Sequence, residues 1–291
     1  MKNIEFKKKT CMNQYGEQTE LTENIIPLYI VTTRKCNTHC KFCTFHNGKS
    51  DIDLVKLKEA IDWLYRFCSI PTVHFTGGEP TLELEKIVQI SDFVKQNDKL
   101  TTTSVNTNGT RLNDLVNIEN LDNIALSRHC LTDEENFEIF GSNQVPTLKQ
   151  IDDFKDKYKI HLSCNLIKGY VDSYEKIIQY LENAASIGVN DTGFVSLMGV
   201  NDFCNKHFVD FSNFGIKETE RFKKVRCFTN IDDKTQDICC KCENYLYMAS
   251  NFKLISMYHR YAIQNNNISD YIVYEDNQLK QGFNGQIIEW S

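Results

Sequence analysis

Between residues 27 and 200 the chain alternates, six times over, a short run rich in β-branched and aromatic residues with a stretch of helical period. Leu28 to Thr33, Thr72 to Thr76, Thr101 to Asn106, Asn123 to Ser127, Ile160 to Ile167 and Thr192 to Leu197 read as strands. Helical period follows over 51–67, with Leu54, Leu57, Ile61 and Leu64 on one face and Ser50 and Asp53 as a capping-box pair. It recurs through Leu84, Ile87, Val88, Ser91 and Val94, briefly near 111–118, and within 132–156 with breaks near Gly141 and Pro146. The last stretch is 173–187, with Gly188 as its C-terminal stop. This pattern predicts parallel strands with crossover helices. Six units fall short of the eight of a complete barrel. The expected fold is therefore α/β, a partial (β/α)6 TIM-like barrel over 27–200, preceded by an N-terminal extension, 1–26. A smaller C-terminal module, 201–291, follows, with strand-like pieces near 245–249, 253–257 and 270–274.

Composition narrows the functional classes. No apolar run approaches the roughly 20 residues of a membrane helix. The start, Met-Lys-Asn-Ile-Glu-Phe-Lys-Lys-Lys, lacks the apolar core of a signal peptide, so a cytoplasmic protein without membrane partners is expected. A net charge of −6 argues against general nucleic-acid binding. The 12 cysteines are the unusual count. In a chain expected to stay reduced, clustered cysteines read as metal ligands. Cys36, Cys40 and Cys43 form one group; Cys227, Cys239, Cys240 and Cys242 form another. Cys11, Cys68, Cys130, Cys164 and Cys204 are scattered, and a small buried hydrophobe is the ordinary role of such residues.

Arg34-Lys35-Cys36-Asn37-Thr38-His39-Cys40-Lys41-Phe42-Cys43 follows the first strand and has the spacing C-x3-C-x2-C. Thiolates are soft ligands suited to iron–sulfur clusters. Three cysteines serve three irons of a cubane and leave the fourth open to chelation. A structural zinc usually takes four ligands, which His39 or His46 would have to complete. C-x3-C-x-Φ-C, with Phe42 as the aromatic, resembles the signature of the radical S-adenosylmethionine (SAM) superfamily. That resemblance implies a [4Fe–4S] cluster on Cys36, Cys40 and Cys43 whose open iron chelates the amine and carboxylate of SAM. It further implies reductive cleavage of the S–C5′ bond and hydrogen abstraction from substrate by a 5′-deoxyadenosyl radical. Phe42 would lie beside the adenine.

Further motifs fall in the order this family uses. Thr76-Gly77-Gly78-Glu79-Pro80 resembles its GGE motif, which implies close backbone approach at the two glycines and a Glu79 carboxylate accepting from the SAM ammonium. Ser104-Val105-Asn106-Thr107-Asn108-Gly109 resembles the Thr-Asn-Gly segment, with Asn106 and Asn108 facing the barrel top. Ser127 would lie near the ribose or carboxylate, and Arg128 would pair with the carboxylate. His129 is either an acid/base toward substrate or a plain hydrogen-bonded histidine. Asn165-Leu166-Ile167-Lys168-Gly169 resembles a degenerate GxIxG element that supports adenine through Ile167, and Leu197 and Met198 stand where apolar adenine contacts, or core packing, are expected. These residues end consecutive strands, the face on which barrel enzymes build their sites.

The second cysteine group, with Tyr245 to Leu254 as a hairpin, resembles the auxiliary-cluster module called twitch or SPASM, in a layout like that of GTP 3′,8-cyclases. It departs from them in having no cysteine beyond 242 and no C-terminal Gly-Gly. The resemblance implies a second iron–sulfur cluster on Cys227, Cys239 and Cys242, with Cys240 or Cys204 as a fourth ligand. Zinc on Cys227, Cys239, Cys240 and Cys242 is the alternative. The expected activity is that of a radical SAM enzyme acting on a small molecule by oxidation, epimerisation or rearrangement, with a donor such as flavodoxin or ferredoxin. Peptide modification to a crosslink, thioether or epimer is the competing expectation, and the roughly 26 residues before the first strand are few for a peptide-recognition domain. A non-catalytic iron–sulfur or zinc scaffold would leave Glu79 and Asn108 without a role. Cys130, Cys164 and Cys204, near predicted strand tops or the domain junction, are candidate hydrogen-atom donors or buried structural thiols.

Overall fold

The structure, a computed structural model, describes residues 9–12, 18–21, 26–43, 52–210, 222–231, 238–248, 254–260, 271–283 and 285–290. The six expected strands are present as β3 (Leu28–Thr33), β4 (Thr72–Gly77), β5 (Thr102–Thr107), β6 (Asn123–Ser127), β7 (Lys159–Leu166) and β8 (Asp191–Ser196). Each pairs in parallel with the next. The helices between them are α1 (Leu54–Tyr65), α2 (Leu84–Asn97), α3 (Asp133–Phe140), α4 (Leu148–Phe154) and α5 (Tyr174–Ser186). Between β5 and β6 the connection is a 3-10 turn, Leu112–Asn117. Asp53 itself caps α1, accepting from the backbone N–H groups of Val55 and Lys56, rather than serving as the reciprocal partner of Ser50, which lies outside the described residues. Capping boxes do form at α3, from Thr132 and Glu135, and at α4, from Thr147 and Gln150. Gly188, at φ +75, follows the end of α5 as expected.

Strand pleating sorts the side chains into two faces. Leu28, Ile30, Val73, Phe75, Val105, Ile124, Leu126, Leu162 and Phe194 join the main apolar core with Leu57, Ile61, Ile87, Ile90, Ile177 and Leu181 of the helices. Each fully buried side chain of this kind contributes about 1.5–3 kcal/mol. The alternate positions, among them His74, Asn106, Ser127, His161, Ser163 and Asn165, fall on the other face and are only partly covered. Polar side chains predominate on that face, unlike the bulky apolar filling of a complete barrel.

The sheet stays open, as the count of six units implies. Its order is β14-β13-β12-β3-β4-β5-β6-β7-β8-β11-β10-β9-β1-β2. The N-terminal hairpin, β1 (Lys9–Met12) and β2 (Gln18–Leu21), joins through β9 (Phe222–Ile231). β10 (Ile238–Met248) and β11 (Leu254–Arg260) form the expected hairpin, and β11 runs parallel to β8. The last strands go to the other edge: β12 (Ile272–Glu275) pairs in parallel with β3 and carries β13 (Gln278–Gln281) and β14 (Ile287–Ile288). Residues after 200 thus flank the six-strand unit on both sides. Glu275, at the end of β12, accepts from Arg34 just before the first cysteine and from Lys280, tying this edge to the start of the cysteine loop.

Candidate active site

The cysteine loop is held from two sides. On one side, the N–H of Gly78 donates to the Thr33 carbonyl at 2.8 Å and that of Glu79 to the Lys35 carbonyl at 2.8 Å. Both glycines are required for this approach. A Cβ at Gly77, where φ is +132, would lie 2.2 Å from the Thr33 carbonyl oxygen, and one at Gly78 would lie 2.1 Å from that of Lys35. The close partner of the Gly-Gly pair is therefore the backbone of the cysteine loop. On the other side, the N–H groups of His39 and Lys41 donate to the carbonyls of Phe140 and Ile139 at the end of α3, at 2.9 and 3.2 Å.

Within the loop Thr38 Oγ1 lies 3.3 Å from Cys36 Sγ and 3.4 Å from Cys40 Sγ, and the Cys43 N–H closes a turn onto the Cys40 carbonyl. Burial pushes the Cys40 thiol up to about 12; the Thr38 hydrogen bond opposes this, and the nearby Cys43 and Cys36 add to it. A buried thiol such as Cys40 gives up its proton readily only where a cation compensates the charge. Three soft sulfurs on one short loop at the end of the first strand fit an iron–sulfur cluster by donor chemistry. Among the described residues, no three His, Cys, Asp or Glu side chains are grouped closely enough to hold a single metal ion, and His46 lies outside those residues.

Glu79 is 1% exposed. Its Oε1 accepts from the Thr81 N–H, the Thr81 hydroxyl and the Thr107 hydroxyl at 3.0, 2.6 and 2.7 Å, and its Oε2 from the Asn108 N–H at 2.7 Å. Burial raises its pKa against the pull of these donors. The carboxylate joins the top of β4 to that of β5, a tie the motif alone does not disclose. Asn108 in turn reaches the cysteine loop: its Nδ2 donates to Asn37 Oδ1 at 3.0 Å and lies 3.4 Å from Thr38 Oγ1 and 3.9 Å from Cys36 Sγ. Neither Thr38 nor Asn37 stands out in the sequence, because a polar residue between cysteines carries no spacing signal.

A second apolar cluster sits at this end of the strands. Cys130, Ile139, Phe140, Val145, Ile167, Leu197 and Cys204 form it, with Cys40 and Phe42 packed against it. Ile167, Leu197 and Phe42 are thus brought together; Met198 is exposed. His129 lies between Phe42, edge-on at 4.7 Å, and Phe140, stacked at 5.0 Å. Its Nδ1 accepts from the Asn165 N–H at 3.0 Å. Burial, with Arg128 beside it, holds its pKa down at about 3, so His129 is a neutral hydrogen-bonded group and not a proton carrier at neutral pH.

Stability follows from this. The unfolded chain takes up the proton near pH 6.5 and the folded protein only near 3. His129 therefore contributes fully above pH 6.5 and progressively less below it, by about 2 kcal/mol at pH 5. Denaturant unfolding at pH 7 and pH 5 should show this loss in the wild type and not in His129→Gln; equal losses would contradict it.

Arg128, expected to pair with a ligand carboxylate, has an acidic neighbour within the protein. It is 2% exposed, its Nη1 lies 2.8 Å from Asp133 Oδ1 without hydrogen-bond alignment, and its Nη2 donates to the Leu131 carbonyl at 3.3 Å. Its charge is matched at the start of α3. Asn106 and Ser127 lie on the polar face of the sheet. Cys204, on the short helix α6 (Asp202–Lys206), is 1% exposed and its Sγ lies 3.6 Å from the Phe42 carbonyl, beside the first loop. Cys164 lies in the main core. Cys227 falls on β9 and Cys239, Cys240 and Cys242 on β10, with Cys227 opposite Glu243 and Cys242 opposite Phe228 in register. Their side chains lie outside the described residues. A surface cleft of about 600 Å³ lined by Asn117, Asp122, Lys157 and Tyr158 opens at the opposite ends of the strands.

Comparison with known proteins agrees with this architecture. The sequence profile described as the Radical SAM superfamily matches residues 30–215. An uncharacterized protein of Methanocaldococcus jannaschii is 35% identical over 71 residues, 24% of this chain and 25% of that protein. SuiB of Streptococcus suis, solved bound to S-adenosylmethionine, superposes with a TM-score of 0.53 over 65% of this chain and 44% of SuiB, at 17% identity. A radical SAM methyltransferase from Sphaerobacter thermophilus gives 0.51 over 69% and 65%, at 12% identity. At such identities the structural likeness is one of fold. The chain spans about a quarter of the archaeal relative and less than half of SuiB. Among the described residues, no helix is long and apolar enough to cross a membrane.

Proposed function

The chain belongs to the radical SAM superfamily, and from that membership we propose that Cys36, Cys40 and Cys43 hold a [4Fe–4S] cluster with an open iron for SAM. The chemistry that cluster and SAM supply when bound is reductive cleavage of SAM and abstraction of a hydrogen atom from substrate. The observation that carries the reading is the cysteine loop itself, fastened to the end of β4 and the end of α3 with Cys36 and Cys40 linked through Thr38. In this reading Gly77 and Gly78 seat the loop, while Glu79 and Asn108 order the strand ends beneath it. Phe42, Ile167 and Leu197 offer an apolar seat for the adenine. Asn106 and Ser127 face the ligand side, and His129 fixes the Phe42 ring without exchanging protons.

The substrate we favour is a small polar molecule bound against the partly covered face that carries His74, Asn106, Ser127, His161, Ser163 and Asn165. The flanking strands after residue 200 would form the auxiliary module on one edge, with Cys227, Cys239, Cys240 and Cys242 as its cluster ligands. Cys204, seated at the first loop, is better assigned to that loop. A flavodoxin- or ferredoxin-type protein would donate the electron. Peptide modification is the second reading; SuiB, whose fold superposes with a TM-score of 0.50, has been solved with its precursor peptide SuiA.

Anaerobic reconstitution with iron and sulfide tests this arrangement. The wild type should bind about eight irons, and Cys239→Ala with Cys242→Ala about four, with the electron paramagnetic resonance signal of the reduced remaining cluster still altered by SAM. No SAM-sensitive signal from the wild type would refute the proposed function. Equal iron in wild type and double variant would refute only the auxiliary cluster.

A further inference from the structure

Resting on the cluster assignment above, we infer that Thr38 and Asn108 form a directed hydrogen-bond relay onto the sulfurs of Cys36 and Cys40 that sets the reduction potential of the cluster. The direction of the relay follows from donor and acceptor counting. Asn108 Oδ1 accepts from both the N–H and the hydroxyl of Thr110, at 3.0 and 2.8 Å. The Thr110 hydroxyl accepts in turn from Asn37 Nδ2 at 2.7 Å, and Asn37 Oδ1 accepts from Asn108 Nδ2 at 3.0 Å. This ring fixes the orientation of the Asn108 amide, so its Nδ2 faces the cysteine loop. One Nδ2 hydrogen goes to Asn37. The other points at Thr38 Oγ1, 3.4 Å away, with Cys36 Sγ at 3.9 Å. Glu79 holds the same residue from behind through its backbone N–H.

Thr38 is thereby an acceptor from Asn108, which leaves its own hydroxyl hydrogen to donate. Its remaining near neighbours are Cys36 Sγ at 3.3 Å and Cys40 Sγ at 3.4 Å. Sulfur that ligates iron is a thiolate and accepts only. The hydroxyl therefore donates to sulfur, polarised by the amide behind it. Thr38 and Asn108 are 5% and 7% exposed, so water competes little for these bonds. A hydrogen bond to a ligating sulfur draws electron density from it and favours the state with one more electron. The relay thus raises the potential of the cluster and makes its reduction by a cellular donor easier.

Thr38→Val removes the hydroxyl at nearly constant shape, and Thr38→Ser restores it. Asn108→Asp keeps the acceptor for Thr110 and loses the donor. Redox titration of the SAM-sensitive resonance signal should show a more negative midpoint in T38V, by about tenfold in the one-electron equilibrium, or about 59 mV. T38S should return toward the wild type, and N108D should shift in the same direction as T38V. A T38V protein with a full cluster and an unchanged midpoint overturns the relay while leaving the proposed function standing. Should T38V fail to take up a cluster, N108D decides: an unchanged midpoint there overturns the relay equally. A wild type with no SAM-sensitive cluster removes the premise as well.

Discussion

Replacing Cys36, Cys40 and Cys43 together with Ala is expected to abolish the SAM-sensitive cluster, a loss of about four irons per chain, while the sheet remains folded. Separation of the two effects follows from how the loop is built. Its attachments to β4 and α3 are backbone hydrogen bonds that do not involve sulfur. None of the three thiols belongs to the main apolar core, and only Cys40 touches the smaller cluster. Far-ultraviolet circular dichroism of the apo-variant should match that of the wild type, and its unfolding free energy should fall by no more than about 1–2 kcal/mol. Full iron content in the triple variant, with an unchanged SAM-sensitive signal, would show that the cluster sits elsewhere.

Glu79→Ala is expected to lower the stability of the protein even without cofactor, by about 3–5 kcal/mol. The carboxylate receives four donors in a site that water does not reach, and alanine would leave all four buried without an acceptor. Glu79→Gln, which exchanges one oxygen for a donor, should lose about 1–3 kcal/mol. Denaturant unfolding of the apoproteins measures this directly. If E79A matched the wild type, Glu79 would not be the tie between β4 and β5, and its role would have to lie with the ligand alone.

The six central strands were legible because each is a short run rich in β-branched and aromatic residues and the helices between them carry period-3.6 apolar faces, a match of local pattern and packing that short parallel units require. Less was legible after residue 200. The reading of 245–249 as a strand caught only the end of β10, since cysteines and charges mask its pleat. The hairpin of β12 and β13 turns through Asp276 and Asn277, both with positive φ, a two-residue turn whose signal was present. Its pairing with β3, more than 200 positions away in sequence, left no local trace. In the site, the motifs located Glu79, Asn108 and the cysteines. They said nothing of Thr38, nor of the Asp133 that lies beside Arg128. Charge pairing inside a fold depends on which residue the next helix brings near, and Asp133 opens α3 five positions on, in a turn whose geometry sequence pattern does not encode.

The measurement that bears most directly on the central claim is 5′-deoxyadenosine formed when the reconstituted protein, reduced with dithionite, is given SAM. Product from the wild type and none from the triple cysteine-to-alanine variant is the predicted result. A wild type that carries its SAM-sensitive cluster yet forms no more 5′-deoxyadenosine than that variant would contradict it.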